Sequence, residues 1–94
     1  MKVKISLIGL SNKPYSFTLT IEDHTSLTVE EVMGLLIDML EASLRKEMYS
    51  IMEPGNPTYA AMVNGVALPR EKWNIHLVRD GDEIVIAPIL VGGG

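Results

Sequence analysis

The strongest constraint on the fold is a change of hydrophobic period part-way along the chain. Residues 2–8 alternate, with Val3, Ile5 and Leu7 set against Lys2, Lys4 and Ser6. Residues 15–21 alternate again, with Phe17, Leu19 and Ile21 set against Ser16, Thr18 and Thr20. A period of two is that of a strand with one buried face. Residues 9–14, with a glycine and a proline, read as the turn between them. Then the period lengthens. Val29, Val32, Met33, Leu36, Ile37, Leu40 and Leu44 recur at helical spacing and make a single apolar stripe.

The helix has a marked start. Thr28 is placed to cap it, Glu31 to reach back to the cap, and Leu27 and Val32 to form a staple. It must stop before Glu53-Pro54-Gly55-Asn56-Pro57, so its end is expected between Leu44 and Met52. Met33, Met39 and Met48 read as gap-filling core or flank. Residues 59–64 read as a third strand and Asn64-Gly65 as a tight turn. Residues 66–68 form a short return strand stopped by Pro69, and Trp73 is a partly buried anchor under the loop that follows. After an Asp80-Gly81-Asp82 turn, residues 83–87 form the last strand. Ile84 and Ile86 face one way there, Val85 and Ala87 the other, and Pro88 ends it.

A helix across one face of a mixed sheet of four to five strands satisfies every stripe. The first and last strands can lie side by side if a long crossover carries the helix. The class is therefore α+β with a β-grasp, ubiquitin-like arrangement. The expected division is a domain at 1–88 and a flexible glycine-rich tail at 89–94.

Ninety-four residues, 47% of them apolar, are enough for one packed core and too few for two. The net charge of −4 argues against a nucleic-acid partner, which needs a basic face. No apolar run approaches the ~18 residues of a membrane span. The start, Met1-Lys2-Val3-Lys4, does not resemble a signal peptide, so a cytoplasmic location is expected. With no cysteine, thiolate chemistry and disulfides are excluded.

No enzyme pattern emerges. His24 and His76 lie near no recognisable nucleophile and read as loop residues. Asp80, Asp82 and Glu83 match a fragment of a calcium loop, but the remaining ligand spacing is missing, and a turn explains them. The expectation is no catalytic residue, no metal and no bound cofactor. Attention falls instead on residues 89–94, where the apolar trio Ile89-Leu90-Val91 precedes Gly92-Gly93-Gly94. A solitary monomer gains nothing from an exposed apolar trio. A partner that grips the trio and threads the glycines explains both, because glycine lacks a Cβ.

Four pieces in order, Val63-Asn64-Gly65, Pro69-Arg70-Glu71-Lys72-Trp73, Asp80-Gly81-Asp82-Glu83-Ile84 and Val91-Gly92-Gly93-Gly94, resemble the C-terminal half of the ThiS/MoaD family of ubiquitin-like sulfur carriers. The first half matches in pattern only. The chain departs from that family in extra length around residues 43–57 and in a single Pro88 where MoaD has a pair of prolines.

The resemblance implies that the Gly94 carboxylate is adenylated by a ThiF/MoeB-type adenylyltransferase using ATP and Mg²⁺, then converted to a thiocarboxylate. It implies that a synthase receives the sulfur, either thiazole synthase or the large subunit of molybdopterin synthase. A protein modifier joined to lysines through the same tail is the alternative. Gly92 and Gly93 are the threaded residues. Ile8, Met62, Val85 and Ala87, on the sheet face away from the helix, are expected to dock the adenylyltransferase together with Ile89, Leu90 and Val91.

Overall fold

The computed structural model of the protein describes residues 1–10, 13–22, 26–53 and 59–88. In chain order the elements are β1 (Lys2–Leu10), β2 (Lys13–Thr20), β3 (Ser26–Thr28), α1 (Val29–Met39), α2 (Ala42–Met52), β4 (Tyr59–Val63), β5 (Val66–Leu68), a single 3₁₀ turn (Arg70–Lys72), β6 (Leu77–Arg79) and β7 (Glu83–Pro88). Five strands form one sheet in the order β2-β1-β7-β4-β5, and β3 pairs with β6 in a separate ribbon. The first and last strands lie parallel at its centre, with Ile5 opposite Ile84 and Leu7 opposite Ile86. This is the mixed sheet and helical crossover that the periods predict.

The inward residues of the sheet and the helical stripe meet in one core. Val3, Ile5, Leu7, Ile84 and Ile86 from the sheet are fully buried, as are Val29, Val32, Met33 and Leu36 from α1. Phe17 is half-buried, stacked on Tyr15 and packed against that core. The start of α1 is the capping box its sequence predicts. Thr28 Oγ1 accepts from Glu31 N–H at 3.1 Å, and Glu31 Oε1 accepts from Thr28 N–H at 3.0 Å.

Four local readings change. The hairpin turn is tighter than residues 9–14, because β1 extends to Leu10 and β2 begins at Lys13. The register slips between Leu7 and Leu10, so the extra residue is absorbed as a bulge with Gly9 at φ 86°. The helix does not continue to residues 44–52. It stops at Met39, Leu40 and Glu41 are extended, and α2 starts at Ala42. That break lets Leu40, Leu44, Met48 and Ile51 all reach the core, and Arg45 ties it by donating to Leu40 O at 3.0 Å. Met33 and Met48 are core as read, but Met39 is 60% exposed. Finally, β7 runs through Pro88, which lies opposite Tyr59.

Candidate functional site

Three elements converge where β7 ends. Tyr59 pairs with Pro88 across the β4–β7 ladder, and its hydroxyl donates to Gly9 O at 3.3 Å. A Cβ on Gly9 would come within 3.0 Å of both Pro88 Cγ and Cδ, and its φ of 86° is one that other residues avoid. Gly9 is therefore required for close approach as well as for the bulge. In the sequence Gly9 shows only its turn role. The residues assigned to the tail chemistry, Gly92, Gly93 and Gly94, and the apolar trio Ile89, Leu90 and Val91 lie outside the described residues.

The other four docking candidates come together. The sheet face away from the helices is set by strand parity, and Val85 stands between Ser6 on β1 and Met62 on β4. Ala87 lies one step further along the same face, paired with Ala60, which the sequence reading passed over. Met62, Val85, Ala60 and Ala87 are half-buried, and Ile8 beside the bulge is 45% exposed. The opposite end of the face is charged, with Lys4 paired to Glu83. The apolar part of the face therefore leads toward the strand end from which residues 89–94 depart.

The remaining motif residues hold the fold. Asn64 and Gly65 both have positive φ (51° and 82°), as a two-residue turn between antiparallel strands requires. Asn64 Nδ2 donates to Asp82 Oδ1 at 3.0 Å, while Asn64 Oδ1 accepts from Glu83 N–H at 2.9 Å. Asp82 Oδ2 accepts from Arg79 N–H at 2.8 Å, and Asp80 Oδ1 accepts from Lys2 N–H at 2.7 Å. Two turns distant in sequence thus lock the two central strands in register.

The segment around Trp73 closes helix ends. Glu30 N–H donates to Trp73 O and Val29 N–H to His76 O, each at 3.0 Å, satisfying donors that the first turn of α1 leaves open. Arg70 donates twice to Met52 O (2.9 and 2.7 Å) at the end of α2 and lies 4.6 Å over the Trp73 ring. Trp73 is more deeply buried than the sequence suggests, only 3% exposed. His76 is engaged through its backbone carbonyl, and His24 lies outside the described residues. Among the described residues, no group of three or more His, Asp or Glu could hold a metal ion, and no helix is long and apolar enough to cross a membrane. Asp80 and Asp82 are engaged in the hydrogen bonds of the turn described above.

A family model described as the ThiS family matches residues 10–94. Over 34 residues the chain is 41% identical to the sulfur carrier protein ThiS of Escherichia coli (strain K12), a stretch covering 36% of this chain and 52% of that protein. The match thus spans about half the length of that curated relative. The crystal structure of a thiamine biosynthesis protein (ThiS) from Geobacter metallireducens superposes over 100% of both chains with a TM-score of 0.51 at 21% identity, a likeness of fold.

Proposed function

The chain belongs to the ThiS family, and from that premise we propose that it is a sulfur carrier for thiamine biosynthesis whose reacting group is the Gly94 carboxylate. The observation that carries this reading is that the family match runs through Gly92, Gly93 and Gly94. Three residues, Ile89, Leu90 and Val91, separate those glycines from Pro88, which ends a central strand at the apolar end of the open face.

The chemistry follows from what a carboxylate lacks. It is a poor electrophile, and adenylation supplies a leaving group. A Gly94 carboxylate oxygen attacks the α-phosphorus of ATP on a ThiF-type adenylyltransferase, with Mg²⁺, and pyrophosphate departs. A persulfide sulfur on another protein then attacks the acyl carbon and expels AMP. A thiol cleaves the resulting S–S bond, leaving a thiocarboxylate on Gly94 and a disulfide behind. That sulfur passes to the synthase that builds the thiazole. The chain itself contributes no acid or base. It contributes a docking face, formed by Ile8, Met62, Val85 and Ala87 and continued by Ile89, Leu90 and Val91, and a tail narrow enough to thread.

From Pro88, six residues fully extended reach at most ~20 Å, enough to cross the wall of a partner's active site. Gly93→Val keeps that length and adds a branched side chain. ATP–pyrophosphate exchange on the adenylyltransferase is expected to fall by about 100-fold or more, because a misplaced reacting atom costs that much in rate. Exchange at the wild-type rate would remove the threaded-tail reading.

A further inference from the structure

A second surface lies at the other end of the molecule. Met1 and Ile21 exchange two hydrogen bonds, the amino terminus donating to Ile21 O and Ile21 N–H donating back to Met1 O, both at 2.8 Å. Such exchanges fall at every second residue of an antiparallel pair. Leu19, Phe17 and Tyr15, in register with Val3, Ile5 and Leu7, therefore bond inward to β1. The even residues of β1 show the same phase, since Lys2 and Lys4 send their N–H groups away from β2, to Asp80 Oδ1 and Asp82 O. Ser16, Thr18 and Thr20 consequently aim their N–H and C=O groups at the outer edge of the sheet, where β2 is the last strand. Natural sheets usually protect an edge with charge, a bulge or a covering segment. Residues 14–20 carry no charge, and Pro14 stands where no N–H is needed.

Beside this edge runs a groove of about 460 Å³, lined by residues 18–22 and by Leu35 and Met39 of α1. Leu35 and Met39 are 41% and 60% exposed, apolar positions off the buried stripe of the helix. An adjoining depression shares Leu35 and brings in Glu31, Gly34 and Asp38. With Glu22 in the groove itself, the rim carries carboxylates and no cation among its lining residues.

We propose that the β2 edge and this groove dock an extended apolar segment of a partner protein flanked by lysine or arginine. The backbone groups of Ser16, Thr18 and Thr20 dictate an added strand, and alternate side chains of that strand enter the groove against Leu35 and Met39. The acidic rim, on a chain of net charge −4, selects flanking cations and opposes a second copy of this chain. The site faces the beginnings of β1 and β7, since Thr18 is opposite Lys4 and Lys4 is opposite Glu83, whereas the tail leaves beyond Pro88. It also lies on the helix side of the sheet. A partner held there leaves the open face and the tail unobstructed.

The test uses the full chain and a blocked heptapeptide of alternating valine and threonine with lysine at each end. At saturation, amide hydrogen exchange at Ser16, Thr18 and Thr20 should slow by about tenfold or more, while Phe17 and Leu19, already bonded inward, keep their rates. Met39→Asp should weaken binding about tenfold, and a peptide ended by glutamates should bind about tenfold less tightly. Thr18→Pro, which removes one outward N–H and no inward bond, should abolish protection at that edge while the melting curve holds. The proposal is overturned if saturating peptide leaves those three amides unchanged, or if shifts map to Met62 and Val85 instead. Equal affinity for the glutamate peptide overturns it too. So does concentration-dependent dimerisation that protects the same amides without peptide, which would assign the edge to a second copy.

Discussion

Leu36→Ala is the perturbation whose size follows most directly from the packing. Leu36 is fully buried on α1, facing a sheet whose central residues Ile5, Ile84 and Ile86 are also fully buried. Truncation removes three carbons, worth roughly 0.8 kcal/mol each in transfer free energy. A sealed site collapses only partly, so the cavity adds to this and the total should be about 3–4 kcal/mol. A domain of this length holds roughly 5–14 kcal/mol, so the variant should stay folded at low denaturant. With a urea slope of about 1–1.5 kcal/mol/M, the midpoint should fall by roughly 2–4 M. The neighbouring Leu35 is turned outward and 41% exposed, so Leu35→Ala should cost under about 1 kcal/mol. Urea melts of both variants test the helix register. Equal costs, or a Leu36→Ala cost below about 1 kcal/mol, would refute it.

Two further outcomes are expected from the turn and the open face. Asn64→Ala loses both side-chain bonds and forces alanine to φ 51°, so thermal melts should show about 1–3 kcal/mol of destabilisation, with Asn64→Gly costing less because it keeps the turn angle. Met62→Asp should weaken the complex with the adenylyltransferase by about tenfold or more in a titration, while the melt barely moves because Met62 is only half-buried. Unchanged affinity would remove the open face as the docking surface.

The parts of the fold legible in the sequence are those whose residues carry a period. All five strands of the main sheet, the parallel pairing of the first and last, and the cap at Thr28 follow from alternation and from turn chemistry. The break at Leu40 and Glu41 was hidden because Leu36, Leu40, Leu44, Met48 and Ile51 keep helical spacing straight through it. The ribbon of β3 and β6 was invisible because three-residue strands with one buried side chain each, Leu27 and Val78, show no period at all.

The candidate site divides the same way. Ile8, Met62, Val85 and Ala87 share a face by parity alone, so the sequence could assemble them. Gly9 could not be recognised as the neighbour of Pro88, because that contact joins residues 79 positions apart. The groove along α1 had one local signal, the apolar pair Leu35 and Met39 four residues apart and off the main stripe. Its other wall, at the end of β2, is contributed by the fold.

The central claim is that Gly94 carries sulfur, and intact mass spectrometry tests it most directly. The purified chain is incubated with ATP, Mg²⁺, a ThiF-type adenylyltransferase and a persulfide donor, then weighed beside a sample lacking ATP. The account predicts an ATP-dependent gain equal to the exchange of one oxygen for one sulfur, located by fragmentation at Gly94 and absent from the Gly93→Val variant. An unchanged mass with an adenylyltransferase that turns over its own carrier would contradict the account. So would ATP-dependent covalent ladders in place of the single exchange.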